Sequence, residues 1–181
     1  MVAGDGPLDP ETALAESGAS LCARLVEVVP AWVVREVDRI LDAWDSSRPP
    51  SSDEGGDGTR TARGGVDRAA VRMEAVEAGR RAAEDIGDRL QAVLSADVDE
   101  QTTTPLEVMR GAVAYPTGVL RGARVPAVVR DPFDEARFPD DLYGLTPASL
   151  GAVDPSLTDP ARDWGAAKAM AHRARHGGRR A

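Results

Sequence analysis

Apolar side chains recur at steps of three and four residues along much of this chain, which is the spacing of one helical face. The pattern runs through residues 9–45 and again through 66–95. No segment shows the strict alternation of apolar and polar residues that marks a half-buried strand. The sequence therefore predicts an all-α fold.

The N-terminal stretch contains a proline within the apolar pattern. Asp9 and Pro10 are typical of a helix start, and Leu14, Leu21 and Leu25 follow on one face. Pro30 then interrupts the pattern. Because proline lacks a backbone donor and clashes with the preceding turn, residues 1–45 are predicted to form a helical pair that kinks or restarts there.

Residues 66–95 have the pattern of one long helix. We expect its inner face to comprise Ala69, Met73, Val76, Ala83, Ile86, Leu90 and Val93. Small residues also lie on this side, and they permit the close approach of another helix: Ala78, Gly79, Ala82 and Gly87. This small-residue face is a candidate surface for a protein partner.

Several short helices are predicted in the C-terminal half, each beginning at a proline. An N-cap residue followed by proline is a strong start signal, and it occurs at Thr104–Pro105, Asp131–Pro132, Thr146–Pro147 and Asp159–Pro160. At the first of these, Glu107 stands where a capping box requires an acidic residue. The last helix should end near His176, before Gly177.

Residues 46–65 read SSRPPSSDEGGDGTRTARGG, which contains no bulky apolar side chain. Such a composition is typical of a flexible, disordered linker. The predicted organisation is an N-terminal helical pair (1–45), the linker (46–65), a helical core with a proline-rich C-terminal half (66–176) and a basic tail (177–181). We expect these parts to form one domain.

The net charge of −8 is distributed unevenly along the chain, because residues 160–181 carry +5. The acidic body should repel nucleic acid and anionic lipid. The most apolar run, residues 25–34, includes Glu27 and Pro30 and is too short to cross a bilayer. With a single cysteine and no apolar leader, the sequence predicts a cytoplasmic protein without membrane association.

The sequence offers little support for catalysis or for a bound cofactor. His172 and His176 have a spacing that suits a shared metal ion, but a carboxylate would have to supply the third ligand. We prefer to interpret them as cations that complement the end of a helix. The acidic groups at 97–100 and 139–141 are typical of solvated turns, and Cys22 of core packing. We therefore assign no catalytic, cofactor-binding or metal-binding residue and expect no cofactor.

The aromatic segment, residues 130–150, contains both phenylalanines and one of the two tyrosines. Phe133, Phe138 and Tyr143 are candidate partner-binding residues, since aromatic side chains in stiff loops bind with little loss of entropy. The alternative is packing against the protein's own core. We expect Phe133 and Phe138 to be structural and Tyr143, beside Gly144, to be exposed.

The basic C-terminal end offers a second possible interaction. Four arginines there are candidate phosphate contacts: Arg173, Arg175, Arg179 and Arg180. No aromatic residue lies between them to stack on bases. The chain has 21 arginines and one lysine, a bias typical of a GC-rich genome, so these arginines indicate nucleic-acid binding only weakly.

Residues 99–172 carry an unusual spacing of prolines and aromatics, from DEQTTTPLEVMRGAVAYPTGVLRGARVPAVVRDPF through FPDDLYGLTPA to DWGAAKAMAH. In this spacing they resemble a small family of uncharacterised proteins from high-GC Gram-positive bacteria. The resemblance implies no catalytic residue and no cofactor. It implies that the C-terminal half is the characteristic part of the protein.

Together these features predict a non-catalytic cytoplasmic protein that acts by binding another macromolecule, either in a protein–protein interaction or as a regulatory adaptor. The alternative is a nucleic-acid-associated regulator that uses the basic C-terminal end. An enzyme acting on a small molecule is the third hypothesis.

Overall fold

The computed structural model describes residues 9–47, 66–139 and 141–177. Within these ranges all regular secondary structure is helical, which confirms the all-α fold. The elements are α1 (Pro10–Ser47), α2 (Arg68–Ser95), α3 (Pro105–Gly111), α4 (Ala114–Gly122), α5 (Pro132–Arg137), α6 (Leu150–Val153), a 3-10 turn (Pro155–Leu157) and α7 (Thr158–Gly177).

The restart expected at Pro30, which would have made a helical pair, does not occur, because α1 is a single helix with Pro30 in its interior. Its apolar face passes through the proline without a break, and Val29, Trp32 and Val33 are all buried. An interior proline costs about 3 kcal/mol, whereas each large apolar side chain contributes about 1.5–3 kcal/mol on burial. The packing on both sides of Pro30 therefore outweighs the lost backbone hydrogen bond.

Helix α2 matches the predicted long helix, and Ala83, Ile86 and Leu90 are buried as expected, but the buried face differs in the first half of the helix. Met73, Val76 and Ala69 are exposed, while the buried positions are Val71, Ala75, Ala78, Ala82, Ala83, Ile86 and Leu90. A Cβ at Gly79 would lie 2.8 Å from the carbonyl oxygen of Pro30. The small-residue face thus packs inside the protein, and this corrects the expectation that it engages a partner.

The helix starts were predicted with mixed success. The Asp9 carboxylate accepts a hydrogen bond from the Thr12 amide at 3.3 Å, and Thr104 and Glu107 form the expected capping box. The start at Thr146–Pro147 is wrong, because Ser149 caps the next helix and Thr146 bonds elsewhere. The last helix begins at Thr158, slightly before the expected Asp159–Pro160.

The contacts divide the chain into two compact units, and both long helices contribute to each of them. The first unit contains Met1–Val29, Ala83–Ala112 and Pro147–Ala181; the second contains Pro30–Ala82 and Val113–Thr146. The core of the first unit includes Leu21, Leu25, Ile86, Leu90, Met109 and Leu157, and that of the second includes Trp32, Val33, Val37, Leu41, Ala75 and Leu120.

Three expectations on location and organisation stay predictions. Most of the linker, residues 48–65, and all but Gly177 of the basic tail lie outside the described residues. By length and composition alone, α1 would be able to cross a membrane, a property that core helices of soluble proteins share. The cytoplasmic location and the single-domain organisation are the other two.

We predict that Gly79→Ala destabilises the protein although alanine is the better helix former. The new Cβ would meet backbone atoms of Pro30 at 2.8–2.9 Å, and overpacking of this kind costs about 1–3 kcal/mol. The free energy of unfolding, measured in urea, should fall accordingly. Gly118→Ala is the control: its Cβ would have no atom within 4 Å, so it should raise stability by up to about 1 kcal/mol. Equal effects of the two substitutions would contradict this account.

Candidate functional site

A buried carboxylate organises the second unit's stretch from residue 125 to 146, which we call the Asp141 loop. Asp141 is only 4% exposed. Its carboxylate accepts hydrogen bonds from the Leu145 amide (2.6 Å), the Thr146 amide (3.2 Å) and the Thr146 hydroxyl (2.6 Å). A buried charge is tolerated only when it is paired and hydrogen-bonded. Here local donors meet that requirement, so the carboxylate fixes the chain that follows it.

The electrostatics of Asp141 reflect two opposing effects. Burial acts to raise the pKa of the carboxyl group. The hydrogen bonds from Thr146 and Leu145, together with the charge of Arg130, outweigh burial and hold the pKa below its usual value. Asp141 is therefore an ionised structural residue.

Arg130 joins the two sides of the Asp141 loop. Its guanidinium donates to the carbonyl oxygens of Phe138 (2.9 Å) and Asp141, and it lies 3.6 Å from the Asp141 carboxylate. Nearby, the Val128 amide donates to the Leu142 carbonyl at 3.0 Å. These bonds hold the irregular segment before α5 against the segment that follows α5.

The expectation that Tyr143 is exposed is wrong. Tyr143 is 3% exposed, and its hydroxyl donates to the carbonyl oxygen of Val125 at 3.0 Å. Burial raises the pKa of this hydroxyl, with Arg121 acting in the opposite direction. Gly144 follows with φ = 69°, a left-handed conformation that glycine adopts without strain. This turn directs the ring inwards instead of exposing it.

The two phenylalanines also differ from expectation. Phe133 is 71% exposed on α5, so it is not a core residue. Phe138 is half-buried, with the Arg137 guanidinium 5.1 Å from its ring centre. The structure thus brings one of the three proposed partner-binding aromatics to the surface and buries another.

Two exposed valines complete the apolar surface of the Asp141 loop, and the sequence analysis missed them. Val129 is 98% exposed, and Val128 is also exposed. The signal available in the sequence was the run VPAVV at residues 125–129. It contains four apolar residues besides its proline, and no predicted helix or strand includes them. Among the described residues, the remaining exposed large apolar side chains are Met73, Val76 and Met170.

The second unit also contains an open groove of about 620 Å³. Its lining comes from α2, α4 and the end of α1: Trp44, Val71, Gly118, Val119 and Gly122. Asp67, Glu74 and Arg124 also line it, and its described lining contains no cysteine, serine or histidine. The groove therefore offers shape and apolar contact rather than chemistry.

In the first unit, the candidate phosphate-binding arginines are partly engaged by carboxylates. Arg175 forms ion pairs with Glu11 (2.8 Å) and Asp97. The hydrogen bonds from Glu11 and then Asp97 raise the pKa of Arg175, against the opposing effect of its desolvation. Arg173 donates to the carbonyl oxygen of Ala169. Arg179 and Arg180 lie outside the described residues.

The first unit also brings together two patterns that the sequence analysis had treated separately. His172 and His176, on α7, both lie beside Asp99 from the acidic 97–100 turn. One ligand atom from each residue falls within 4.8 Å of the others. The histidine spacing and the acidic turn were both visible in the sequence, but their proximity was not.

Cys22 is half-buried at the edge of the core instead of lying within it as expected. Its Sγ lies 3.8 Å from the carbonyl oxygen of Gly87, and burial raises the pKa of the thiol. A raised pKa leaves less of the reactive thiolate. A cavity of about 400 Å³ adjoins it, lined mainly by Ala15, Gly18, Ala19, Ala23, Gln91 and Leu94.

Comparison of the chain with family models, with curated proteins and with solved structures finds no match. The resemblance of residues 99–172 to proteins of high-GC Gram-positive bacteria therefore stays a prediction.

We predict that Asp141 contributes stability that is lost in acid. Its folded-state pKa lies below the unfolded value of about 3.9. The unfolded chain therefore takes up the proton first as the pH falls. The contribution is fully present above about pH 4 and disappears as the pH drops through the folded-state pKa.

Urea unfolding followed by tryptophan fluorescence tests this. Asp141→Asn should cost about 2–3 kcal/mol at pH 7, and its difference from the wild type should shrink steadily below pH 4. Glu135→Gln, which removes an exposed carboxylate of the same loop, serves as the control. A difference that stays constant with pH would show that the Asp141 charge is unimportant.

Proposed function

We propose that this protein is a non-catalytic cytoplasmic protein that binds another protein through the exposed apolar residues of the Asp141 loop. The observation that carries the proposal is the exposure of Val129 (98%) and Phe133 (71%) on a loop fixed by buried hydrogen bonds. The proposal retains a partner site in the aromatic segment but moves it from Tyr143 to Phe133 and the preceding valines.

Exposed apolar residues gain free energy when a partner covers them. A valine or phenylalanine that is moved from water to an apolar environment contributes about 1.5–3 kcal/mol. Because Val129 and Phe133 stay exposed in the folded protein, this free energy is not gained on folding. Single exposed apolar residues are ordinary, but here two bulky ones lie four residues apart.

The rigidity of the loop makes these residues suitable for binding. Binding costs about 0.5–1.5 kcal/mol for each side chain or loop group that has to be ordered. Asp141, Arg130 and Tyr143 anchor the backbone on both sides of the exposed residues. The backbone of the loop is therefore already ordered before a partner binds. Binding then loses less conformational entropy, as expected for a preformed binding surface.

The charge around the loop indicates the chemistry of the partner. The N-cap Asp131 and the first-turn residues Asp134 and Glu135 are exposed around Phe133, and the one cation of α5, Arg137, lies over the Phe138 ring. Arg130, the cation at the start of this stretch, is directed to Asp141 and to backbone carbonyls. We therefore propose a partner surface that combines an apolar pocket with lysine or arginine at its edge, since such charges steer and align the encounter.

We predict that Val129→Ser/Phe133→Ser abolishes partner capture without destabilising the protein. Both side chains are exposed, so stability should change by no more than about 0.5 kcal/mol. The full-length wild type and the variant are used as bait in native lysate, and the captured protein is identified and purified. Its affinity should fall about tenfold or more for the variant, corresponding to at least about 1.4 kcal/mol.

Met73→Ser/Val76→Ser is the matched control, because it removes two other exposed apolar residues of the same unit. It should bind like the wild type. Equal binding by both variants, or loss in the control alone, would reject the Asp141 loop as the site. Dissociation of a homodimer by Val129→Ser/Phe133→Ser would instead identify a second copy as the occupant and overturn the proposed foreign partner.

Nucleic-acid binding by the C-terminal end is the alternative function, and no contact among the described residues favours it. The guanidinium of Arg175 is already engaged in ion pairs with Glu11 and Asp97. We expect the intact protein not to be retained on DNA or RNA columns even at low salt. Retention that weakens steeply with salt, as counterion release requires, and that disappears on truncation after Ala171 would establish the alternative instead.

A further inference from the structure

The end of α7 and the turn at residues 97–101 together place two imidazoles at one carboxylate. The Nε2 atom of His176 lies 3.1 Å from Oδ1 of Asp99 and 3.2 Å from Oδ2. The Nε2 atom of His172 lies 4.0 Å from the same Oδ1, and the two rings are 4.5 Å apart. A single hydrogen bond to the Asp99 carboxylate would need only one of the two imidazoles. The convergence of both on one oxygen calls for a further explanation.

These three residues have the composition and spacing of a transition-metal site. Histidines at positions i and i+4 project from the same face of a helix, and neutral imidazole with carboxylate is a ligand set that Zn²⁺ accepts. With bonds of about 2.0–2.1 Å, a tetrahedral ion separates its ligand atoms by roughly 3.3–3.4 Å. The observed distances of 3.1 and 4.0 Å bracket this value.

The neighbouring core fixes the backbone beside Asp99 and His172, whose side chains are exposed. Val98 and Ala171 are buried in one cluster with Leu14 and Ala167, and each immediately precedes a ligand. The turn is fixed as well, because the Asp97 carboxylate accepts a hydrogen bond from the Asp99 amide at 3.1 Å. An ion at this place therefore requires little ordering of the backbone, which lowers the cost of binding.

The nearby charges favour a cation. Arg175 is the closest positive charge in sequence to His176, and it is bound by both Glu11 and Asp97. Those two carboxylates offset Arg175 and the exposed Arg173 beside His172. Asp99 and its neighbour Glu100 then leave the surface with a net negative charge, which attracts a divalent ion.

We propose that Asp99, His172 and His176 form a binding site for a divalent transition-metal ion, Zn²⁺ in the first instance. Three protein ligands leave a fourth position for water. The ion links the 97–101 turn to the C-terminal end of α7, so its binding stabilises the first unit. The site lies apart in sequence from the Asp141 loop, and its existence does not depend on the proposed partner.

Calorimetric titration of the untagged, chelator-treated full chain with Zn²⁺ tests the site. We expect a stoichiometry of one ion per chain, and an affinity lowered about tenfold or more by each of Asp99→Asn, His172→Gln and His176→Gln. Asp163→Asn, an exposed substitution on the same helix, should leave the affinity unchanged. Mg²⁺ and Ca²⁺, which prefer oxygen ligands, should not compete.

Imidazole nitrogen NMR gives a second measurement that does not depend on any variant folding. The chain has two histidines, and Zn²⁺ should shift the Nε2 signals of both. A lack of stoichiometric binding, binding that persists in His172→Gln/His176→Gln, or a shift of only one imidazole would each overturn the proposal. So would equal competition by Ca²⁺, because it would indicate an acidic surface without histidine ligation.

Discussion

The close packing of helix against helix is the constraint on which much of this structure depends. At Gly79 the two long helices approach so closely that a Cβ would fall 2.8 Å from the Pro30 carbonyl oxygen. In the other unit a Cβ at Gly87 would meet the Val26 side chain at 3.0 Å. A chain with few bulky apolar residues gains its core in this way, since small residues allow backbone atoms themselves to pack at high density. The same packing keeps α1 continuous through its proline.

The Asp141 loop shows how a region without regular structure can still be rigid. Its backbone has no ladder of hydrogen bonds, so one buried carboxylate and one guanidinium provide the partners instead. Such a network is stable only if nearly every member is satisfied. Its position explains why Tyr143 lies inside and Phe133 outside: the ring that reaches the Val125 carbonyl is buried, and α5 carries the other ring into solvent.

How far the sequence predicted the structure differs between local and long-range features. The caps at Asp9, Thr104 and Asp131 were predictable, because a cap depends on residues three or four positions away. Thr146 followed by proline looked the same and is not a cap, because the Asp141 carboxylate binds its hydroxyl at 2.6 Å. The buried face in the first half of α2 was also unpredictable. Both Met73 and Ala75 fit a helical stripe, and only the identity of the neighbouring helix selects between them.

The sequence by itself determined that the described chain is helical, where its long helices lie and that its chemistry-bearing residues are few. Periodicity, capping and composition are local properties, and they do not require knowledge of the neighbours. The tertiary structure alone decided which apolar residues remain exposed, which aromatic ring is buried and which distant residues meet. Asp99 reaches His172 and His176 across more than 70 positions of sequence. No local pattern encodes such a meeting, because it results from the packing of Val98 and Ala171 into one core.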